Sequence, residues 1–273
     1  EEATVSVMER GFHFGDGIYE GIPVIAYKML RLNEQHDRLQ NSCSRISKSS
    51  PHDASERQKI IYDLIEKNPG EDRAVYLQVT RGAFDKRDLS IPKHEGAGPT
   101  IFAMVLHVVP PDIEVNSAGI SAITIDDFRW DACDIKSISL VANVMLRQQA
   151  VKAGAQDAIL IKHGKVTEGT ASNVFMVKGG TLITPPVGKQ LLSGITRDLV
   201  IEIARKNAIS VEEREIEITE LFDADEIWMT SSTREIAPVI KVDDKIIGDG
   251  SAGIMWDKVV TLYQDFKREL RNR

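Results

Sequence analysis

Apolar residues recur in the first part of the chain with the two spacings that distinguish strands from helices. Two segments rich in β-branched and apolar residues predict strands, VYLQVTRG at 75–82 and IFAMVLHVV at 101–109. Helical spacing predicts helices from Glu34 to Lys48 and from Ala54 to Lys67. Their candidate core positions are Leu39, Ile46, Ile60, Leu64 and Ile65. The pattern therefore predicts a first domain of mixed α and β elements.

A long polar stretch, AFDKRDLSIPKHEGAGP at residues 83–99, separates the two predicted strands. It is rich in turn-forming residues and is longer than an ordinary connection between neighbouring strands. We therefore predict a functional loop here.

The second part of the chain begins at a proline pair. Pro110 and Pro111 remove two backbone donors and cannot continue a strand ladder, so we place a domain boundary there. The predicted division is a small domain at 1–109, a linker at 110–113 and a larger domain at 114–273. In the larger domain, apolar runs bounded by turns predict strands, and helical spacing predicts helices. The strands lie in ISAITI, DAILIKHGKVTEG, NVFMVKGGTLITP, EIWMT and APVIKV, and the helices are VMLRQQAVKAGA, Thr196 to Lys206 and Met255 to Leu270.

Composition narrows the possible partners. A net charge of −7 and an isoelectric point near 5.5 argue against a surface that neutralises nucleic-acid phosphates. No apolar run reaches the roughly 18 residues that span a bilayer. The first residues, EEATVSVMERGF, lack the profile of a secretion signal. We expect a cytoplasmic protein with no nucleic-acid or membrane partner.

The sequence lacks the usual metal and nucleotide motifs. Cys43 and Cys133 are far apart and have no metal-ligand spacing, and no histidine pair stands four residues apart with a glutamate. GDG at 15–17 lacks the third glycine and the preceding strand of a dinucleotide fingerprint, and no Gly-x-Ser-x-Gly elbow occurs. We expect no metal ion, and a hydrolase is disfavoured.

Three groups of polar residues are candidates for binding an anion. Gly194 precedes a predicted helix whose first amides, those of Ile195 and Thr196, lack intrahelical partners, and the Thr196 hydroxyl stands beside them. Hydroxyl groups also cluster at the end of EIWMT, and Arg38 lies on a predicted helix. Each group has an ordinary explanation too: a helix capped by Ser193 or Thr196, a turn, and a solvated charge. The clustered hydroxyls are those of Thr230, Ser231, Ser232 and Thr233.

Three single residues are candidates for chemistry. Lys136 stands between an acidic turn and an apolar run in CDIKSISLVANV, where burying an ammonium ion is costly, although most lysines are solvated. Glu168, in KVTEGTASNVF, precedes a turn of small residues; a carboxylate there could hold a proton on a ring nitrogen, or could simply face solvent. Tyr19, in GFHFGDGIYEG, is equally consistent with a core aromatic residue.

Seven segments, taken in order, resemble the class IV aminotransferases, which are the fold-type IV group of pyridoxal-phosphate enzymes. They are ERGFHFGDGIYE, LNEQHDRL, VYLQVTRG, CDIKSISLVANV, VTEGTASNVFMVKGG, LLSGITRDLV and MTSSTREIAPV. The resemblance covers nearly the whole chain. The residues in these segments are most similar to those of D-amino-acid aminotransferases. It implies an α+β fold with a small α/β N-terminal domain and a larger pseudo-barrel C-terminal domain that carries the reactive lysine. It also implies a cofactor between the domains and a homodimer.

The resemblance also implies a role for each candidate residue. Lys136 would form the Schiff base with pyridoxal 5′-phosphate and carry a proton to and from the substrate Cα, which requires a primary amine. Glu168 would keep the pyridinium nitrogen protonated. Tyr19 would lie near the reactive face of the cofactor, and Tyr19, Tyr76 and Arg87 would bind substrate. The residues implied to hold the cofactor phosphate are Arg38, Ile195, Thr196, Ser231 and Ser232.

The predicted loop bears on the substrate. D-amino-acid aminotransferases hold the substrate carboxylate with an arginine and, two residues later, a histidine; in KRDLSIP, Arg87 matches the arginine but Leu89 takes the place of the histidine. A guanidinium alone can still bind a carboxylate through two hydrogen bonds. The resemblance therefore implies transamination of a small D-amino acid, such as D-alanine, with 2-oxoglutarate. Two alternatives stay open: a 4-amino-4-deoxychorismate lyase forming 4-aminobenzoate and pyruvate, and a branched-chain amino-acid aminotransferase.

Overall fold

The computed structural model describes residues 3–91, 98–109 and 111–272, and these form two compact units. The first unit contains the described residues up to Val108 together with Ile135–Leu140. The second contains Val109–Asp134 and the described residues from Val141 onward.

The first unit is built on a four-stranded antiparallel sheet in the order β2-β1-β3-β4. The strands are β1 (Gly17–Ile25), β2 (Lys28–Met29), β3 (Asp72–Thr80) and β4 (Ile101–His107). β3 and β4 confirm the two predicted strands. β1 was not predicted, because two glycines and a proline interrupt its apolar residues. Its side chains nevertheless alternate in burial along much of its length, as in a strand with one face on a core.

Three helices accompany this sheet: α1 (Arg10–Phe14), α2 (Leu32–Arg45) and α3 (Ala54–Glu66). α2 and α3 confirm the predicted helices, and a capping box between Asp53 and Glu56 fixes the start of α3. The predicted core positions Leu39 and Ile65 are buried. Correcting the prediction, Ile61 is fully buried, whereas Ile46, Ile60 and Leu64 are only half-buried. Ile61 and Ile65 stand four residues apart and so face the sheet together.

The segment Ile135–Leu140, which carries Lys136, joins the first unit by pairing with β1. The amide of Tyr19 donates to the Lys136 carbonyl at 3.0 Å, and Ser137 forms a bridge with Ile18. The sequence placed this segment in the second domain instead. The predicted boundary at 110–113 stays a prediction, because Pro110 lies outside the described residues. The N-terminal part of the first unit ends at Val108, and the second unit begins at Val109. Of the predicted loop at 83–99, residues 92–97 lie outside the described residues as well.

The second unit is built on a nine-stranded, curled half-barrel sheet, ordered β10-β9-β8-β11-β12-β5-β6-β7 with β13 beside β12. Its strands are β5 (Ile120–Asp126), β6 (Asp157–Lys162), β7 (Lys165–Gly169), β8 (Asn173–Lys178), β9 (Thr181–Thr184), β10 (Val211–Glu213), β11 (Glu226–Ser231), β12 (Glu235–Val242) and β13 (Lys245–Ile246). Its helices are α4 (Ile113–Ser117), α5 (Val141–Lys152), α6 (Ile195–Lys206), α7 (Ile218–Phe222) and α8 (Ile254–Asn272). The predicted longer strands and helices are confirmed, as is the α+β class; the short elements α4, β10, α7 and β13 were not predicted.

Candidate active site

In the first unit, Lys136 lies against an aromatic ring. Its Nζ is 4.3 Å from the centroid of the Tyr19 ring, a distance typical of a cation–π contact. The backbone of Lys136 is fixed on both sides, because its carbonyl accepts from Tyr19 and its amide donates to the Ser42 hydroxyl at 3.1 Å. The side chain is half-buried rather than fully solvated. An amine in this position has a defined direction.

The ring of Tyr19 stacks on that of Tyr76 in the neighbouring strand. The two ring centroids are 5.5 Å apart and the planes differ by 26°. The Tyr76 hydroxyl donates to Gln78 Oε1 at 2.7 Å. Burial, and next the nearby Tyr19, raise the pKa of the Tyr76 hydroxyl, so the phenol stays neutral near pH 7. The structure thus brings together Lys136, Tyr19 and Tyr76, three residues that the sequence assigned to one site.

Arg38 has a fixed orientation in the first unit. Its Nε and Nη2 donate to the two carboxylate oxygens of Glu20 at 2.8 and 2.6 Å, and Nη2 also donates to Gln35 Oε1 at 3.2 Å. Glu20 is 1% exposed. A guanidinium held in this two-bond geometry is oriented far better than a solvated surface charge.

In the second unit, Glu168 is buried and surrounded by hydrogen-bond donors. Its Oε1 accepts from Arg129 Nη1 at 2.6 Å, and its Oε2 accepts from the Leu192 amide at 3.0 Å and from Asn173 Nδ2 at 3.4 Å. Burial raises the pKa of the Glu168 carboxyl, and Arg129 opposes that rise. With 6% of its surface exposed, Glu168 is not a solvent-facing turn residue.

Arg129, which the sequence analysis did not single out, links Glu168 to a second buried carboxylate. Its Nε and Nη2 donate to the two oxygens of Asp127 at 2.9 and 2.8 Å, and Thr167 donates to the same carboxylate. Burial alone would lower the pKa of Arg129, but Asp127 and Glu168 raise it, so the guanidinium stays charged. The one available signal was the Asp-x-Arg spacing at the end of β5.

The start of α6 is a candidate anion site. Gly194 is its N-cap residue and supplies no capping side chain, while the Ser193 hydroxyl donates to Asp198. A Cβ at position 194 would lie 2.0 Å from Asn173 Oδ1, so a larger residue there would displace the Asn173 side chain. The sequence left open an ordinary helix start capped by Ser193 or Thr196, and the N-cap position proves to be Gly194, which makes no side-chain hydrogen bond. The amides of Ile195 and Thr196, at the start of the helix, lack intrahelical acceptors and could therefore donate to an anion.

The hydroxyl cluster lies at the end of β11, next to β8. Thr230 pairs in register with Asn173, which brings it beside the residue that contacts Glu168. The Thr230 hydroxyl is buried and has no hydrogen-bond partner among the described residues. The Ser231 hydroxyl accepts from the Arg234 amide at 3.1 Å, and Ser232 is half-buried. A buried hydroxyl left without a partner is costly, so a bound polar group there would stabilise the site.

Another buried carboxylate, that of Asp157, connects the turn after Glu168 with the turn after Ser231. The sequence analysis did not identify it. Asp157 accepts from Thr170, in the turn after Glu168, at 2.6 Å. Its other oxygen contacts Arg147 at 2.6 Å and Arg234, in the turn after Ser231, at 2.9 Å. One carboxylate thus fixes both turns relative to each other.

Arg87 lies on an exposed loop of the first unit. Its guanidinium carbon is 4.8 Å from the centroid of the Phe14 ring. The Leu89 side chain, where a histidine was expected, is 79% exposed. The described part of the loop thus presents the cations of Lys86 and Arg87 and the exposed apolar residues Leu89 and Ile91.

The residues present fit pyridoxal phosphate. The first unit has an oriented lysine against a tyrosine ring. The second has a buried carboxylate, a helix start without a capping side chain and a buried hydroxyl that has no partner among the described residues. Across the described residues, no cluster of His, Cys, Asp or Glu could hold a metal ion. Nor does any helix in the described ranges combine the length and apolar character needed to cross a membrane.

Comparison with known proteins supplies the family context. The sequence pattern of the family described as amino-transferase class IV matches residues 17–242. The chain is 39% identical over 267 residues to a D-alanine aminotransferase of Bacillus licheniformis, covering 97% of this chain and 92% of the relative.

Solved structures agree with this. The fold matches a branched-chain amino acid aminotransferase from Escherichia coli, with a TM-score of 0.87 and 25% identity, covering 97% of this chain and 89% of the other. It also matches a putative 4-amino-4-deoxychorismate lyase of Legionella pneumophila, with a TM-score of 0.86 and 23% identity, covering 96% of this chain and 95% of the other. The second likeness shows a shared fold alone.

Proposed function

The chain belongs to the class IV aminotransferases, as its resemblance predicted, and from that premise we propose that it exchanges the amino group of a small D-amino acid with 2-oxoglutarate. D-alanine is the proposed donor. The observation that carries this proposal is 39% identity with a D-alanine aminotransferase across 97% of the chain.

The proposed cofactor is pyridoxal 5′-phosphate, held covalently by Lys136. When bound, it supplies an aldehyde that a primary amine can hold and a ring that takes up the electrons released when the substrate Cα loses its proton. Lys136 carries a primary amine, which can both hold the aldehyde and move a proton at the substrate Cα. Its fixed backbone and its contact with Tyr19 support this role.

Glu168 is the proposed partner of the ring nitrogen. A proton held on that nitrogen is stabilised by a negative carboxylate close by. Three donors converge on the Glu168 oxygens, and Arg129 is the one among them that carries a positive charge. Burial raises the pKa of the Glu168 carboxyl, and Arg129 and the Leu192 amide oppose that rise. Asp127 in turn keeps Arg129 oriented.

The remaining proposed contacts divide between phosphate and substrate. The proposed phosphate ligands are Arg38, Ile195, Thr196, Ser231 and Ser232, with main-chain amides and hydroxyls as the donors in the second unit. Arg87 is proposed to bind the substrate carboxylate, and Tyr19 and Tyr76 to line the substrate site.

We also propose a homodimer. Four apolar side chains on one side of α5 are exposed, which is unusual unless another surface covers them. They are Val141, Val144, Met145 and Val151, with exposed fractions of 53 to 73%. The predicted cytoplasmic location stays a prediction.

A donor panel tests the substrate. Protein loaded with pyridoxal phosphate and given D-alanine with 2-oxoglutarate should form pyruvate and D-glutamate. Faster turnover of L-leucine would assign it to branched-chain substrates instead. Pyruvate released from 4-amino-4-deoxychorismate without any keto acid would assign it to the lyase group. Either result, in the absence of D-alanine turnover, contradicts the proposal.

A further inference from the structure

The loop that carries Arg87 is held through its main chain by Arg10, the first residue of α1. The Arg10 guanidinium donates to three successive carbonyls, those of Asp88 at 2.5 Å, Leu89 at 3.3 Å and Ser90 at 3.4 Å. These residues lie 78 to 80 positions away along the chain. Arg10 is 5% exposed. A planar guanidinium with five donors suits such a converging set of acceptors.

Asp16 fixes the Arg10 guanidinium from the other side. Arg10 Nε donates to Asp16 Oδ2 at 2.8 Å. Arg81 Nε donates to the same oxygen at 2.8 Å, and the rest of the Arg81 guanidinium donates to the Ile46 and Ser47 carbonyls. Both arginines therefore share one carboxylate, but only Arg10 reaches the loop in these hydrogen bonds.

Phe14 connects Arg10 to Arg87. The guanidinium carbons of Arg10 and Arg87 are each 4.8 Å from the centroid of the Phe14 ring. Cation–π contacts at this distance favour a guanidinium near the ring. Arg87 is otherwise an exposed arginine, and it thereby gains a preferred position.

The loop also orders itself locally. The Asp88 carboxylate accepts from both the amide and the hydroxyl of Ser90, at 3.0 and 2.5 Å. These hydrogen bonds lower the pKa of Asp88 to about 2, so the carboxylate is charged at neutral pH. The charged carboxylate keeps its hydrogen bonds to Ser90, and the turn is retained. A turned segment presents its carbonyls together, which is what the Arg10 guanidinium requires.

We propose that Arg10, with Phe14, is a positioning residue for substrate recognition: it holds residues 88–90 by their carbonyls and so keeps the Arg87 guanidinium ready for the substrate carboxylate. This inference rests on the proposed role of Arg87. Arg10 contacts residues 88 to 90 through their backbone oxygens, so it holds this part of the loop whatever side chains those residues carry. Its guanidinium carbon also lies 5.9 Å from the centroid of the Phe84 ring, earlier in the same loop.

Steady-state kinetics on the loaded enzyme test the inference. Arg10→Lys keeps the positive charge near Asp16 but loses the two terminal nitrogens, Nη1 and Nη2, that donate to the three carbonyls. We expect KM for D-alanine to rise roughly tenfold, the size expected for losing one charge-assisted hydrogen bond, with kcat changed by less than about twofold. Borohydride labelling of Lys136 should be unchanged. Arg81→Lys is the matched control, because it perturbs the same carboxylate without touching the loop; it should leave KM unchanged.

A double-mutant cycle separates positioning from general stabilisation. Arg87→Ala should itself raise KM, and adding Arg10→Lys should then raise it no further. Additive effects in that cycle, or equal KM changes in Arg10→Lys and Arg81→Lys, would overturn the inference. If Arg10→Lys does not fold, Phe14→Leu decides: it should raise KM about threefold, as expected for one cation–π contact, and only while Arg87 is present. Failure of the proposed function has a different signature, which is no turnover and no label on Lys136 in the unmodified protein.

Discussion

The surroundings of Glu168 and the Arg87 loop show two ways of holding a candidate functional residue. Glu168 is buried, and its own carboxylate is held by donors from separate parts of the second unit. Arg87 and Leu89 are exposed, and Arg10 holds their loop by backbone carbonyls. A change at Glu168 leaves buried donors without an acceptor, whereas a change at Leu89 leaves every described contact of Arg10 in place. If the proposed roles of Glu168 and Arg87 hold, the loop can change its side chains without disturbing the contacts around Glu168.

The largest expected effect comes from Glu168→Gln. The amide keeps the shape of the side chain but cannot hold a positive charge on a ring nitrogen, so we expect kcat to fall by about a hundredfold or more. The visible absorption of the bound cofactor should also shift. Glu226→Gln is the matched control in the same unit, because Glu226 accepts from the first amides of α8 and is not part of the proposed site. Equal losses of kcat in the two variants would argue that the effect is general.

Arg129→Met should cause the next largest change, measured as the free energy of unfolding in urea. It leaves Asp127 and Glu168 buried without their shared cation, which costs about 3–5 kcal/mol. Arg214→Met is the control, since Arg214 also joins two carboxylates, Glu212 and Glu220, but at the surface. There we expect a loss of about 0–1 kcal/mol. Comparable losses in the two variants would remove the contrast between buried and exposed networks.

A smaller effect is expected from the pH dependence of stability through Asp16. Burial alone would raise the pKa of Asp16, but Arg81 and Arg10 hold it below its ordinary value. A lowered folded-state pKa contributes stability that is present above about pH 4 and is lost as the pH falls through the folded-state pKa. Urea unfolding from pH 5 downward should therefore show a steeper loss in the unmodified protein than in Asp16→Asn. An equal slope in both would contradict the role of this carboxylate.

The smallest effect should come from Leu89→Ala. The side chain is 79% exposed and Arg10 contacts only the Leu89 carbonyl, so stability should change by less than about 0.5 kcal/mol. KM for D-alanine should stay within about twofold. A large rise in KM would show that the Leu89 side chain itself contacts substrate.

The sequence predicted local elements well because their signals are local. The periodicity of β3, β4, α2, α3 and α6 is contained within each segment, and the structure confirms these elements. β1 was missed because Gly17, Gly21 and Pro23 obscure its pattern. Ile61 was missed because Ile60 beside it is also apolar, so the sequence does not show which of the two lies on the buried face of α3.

The networks around the candidate residues could not be predicted in the same way. Arg129 and Glu168 stand 39 residues apart and meet only because β5, β6 and β7 lie side by side in the sheet. Arg10 and the loop meet across a still longer separation. Such pairs leave no periodic pattern in the sequence. The roles assigned to Lys136 and Glu168 came from resemblance, and they stay predictions.

Reductive trapping shows directly whether Lys136 binds the cofactor aldehyde. The protein should be incubated with pyridoxal 5′-phosphate, treated with borohydride, digested and mapped by mass spectrometry. We expect a single phosphopyridoxyl label on the peptide containing Lys136, and none in Lys136→Ala. A label on another lysine, or no label at saturating cofactor, would contradict it.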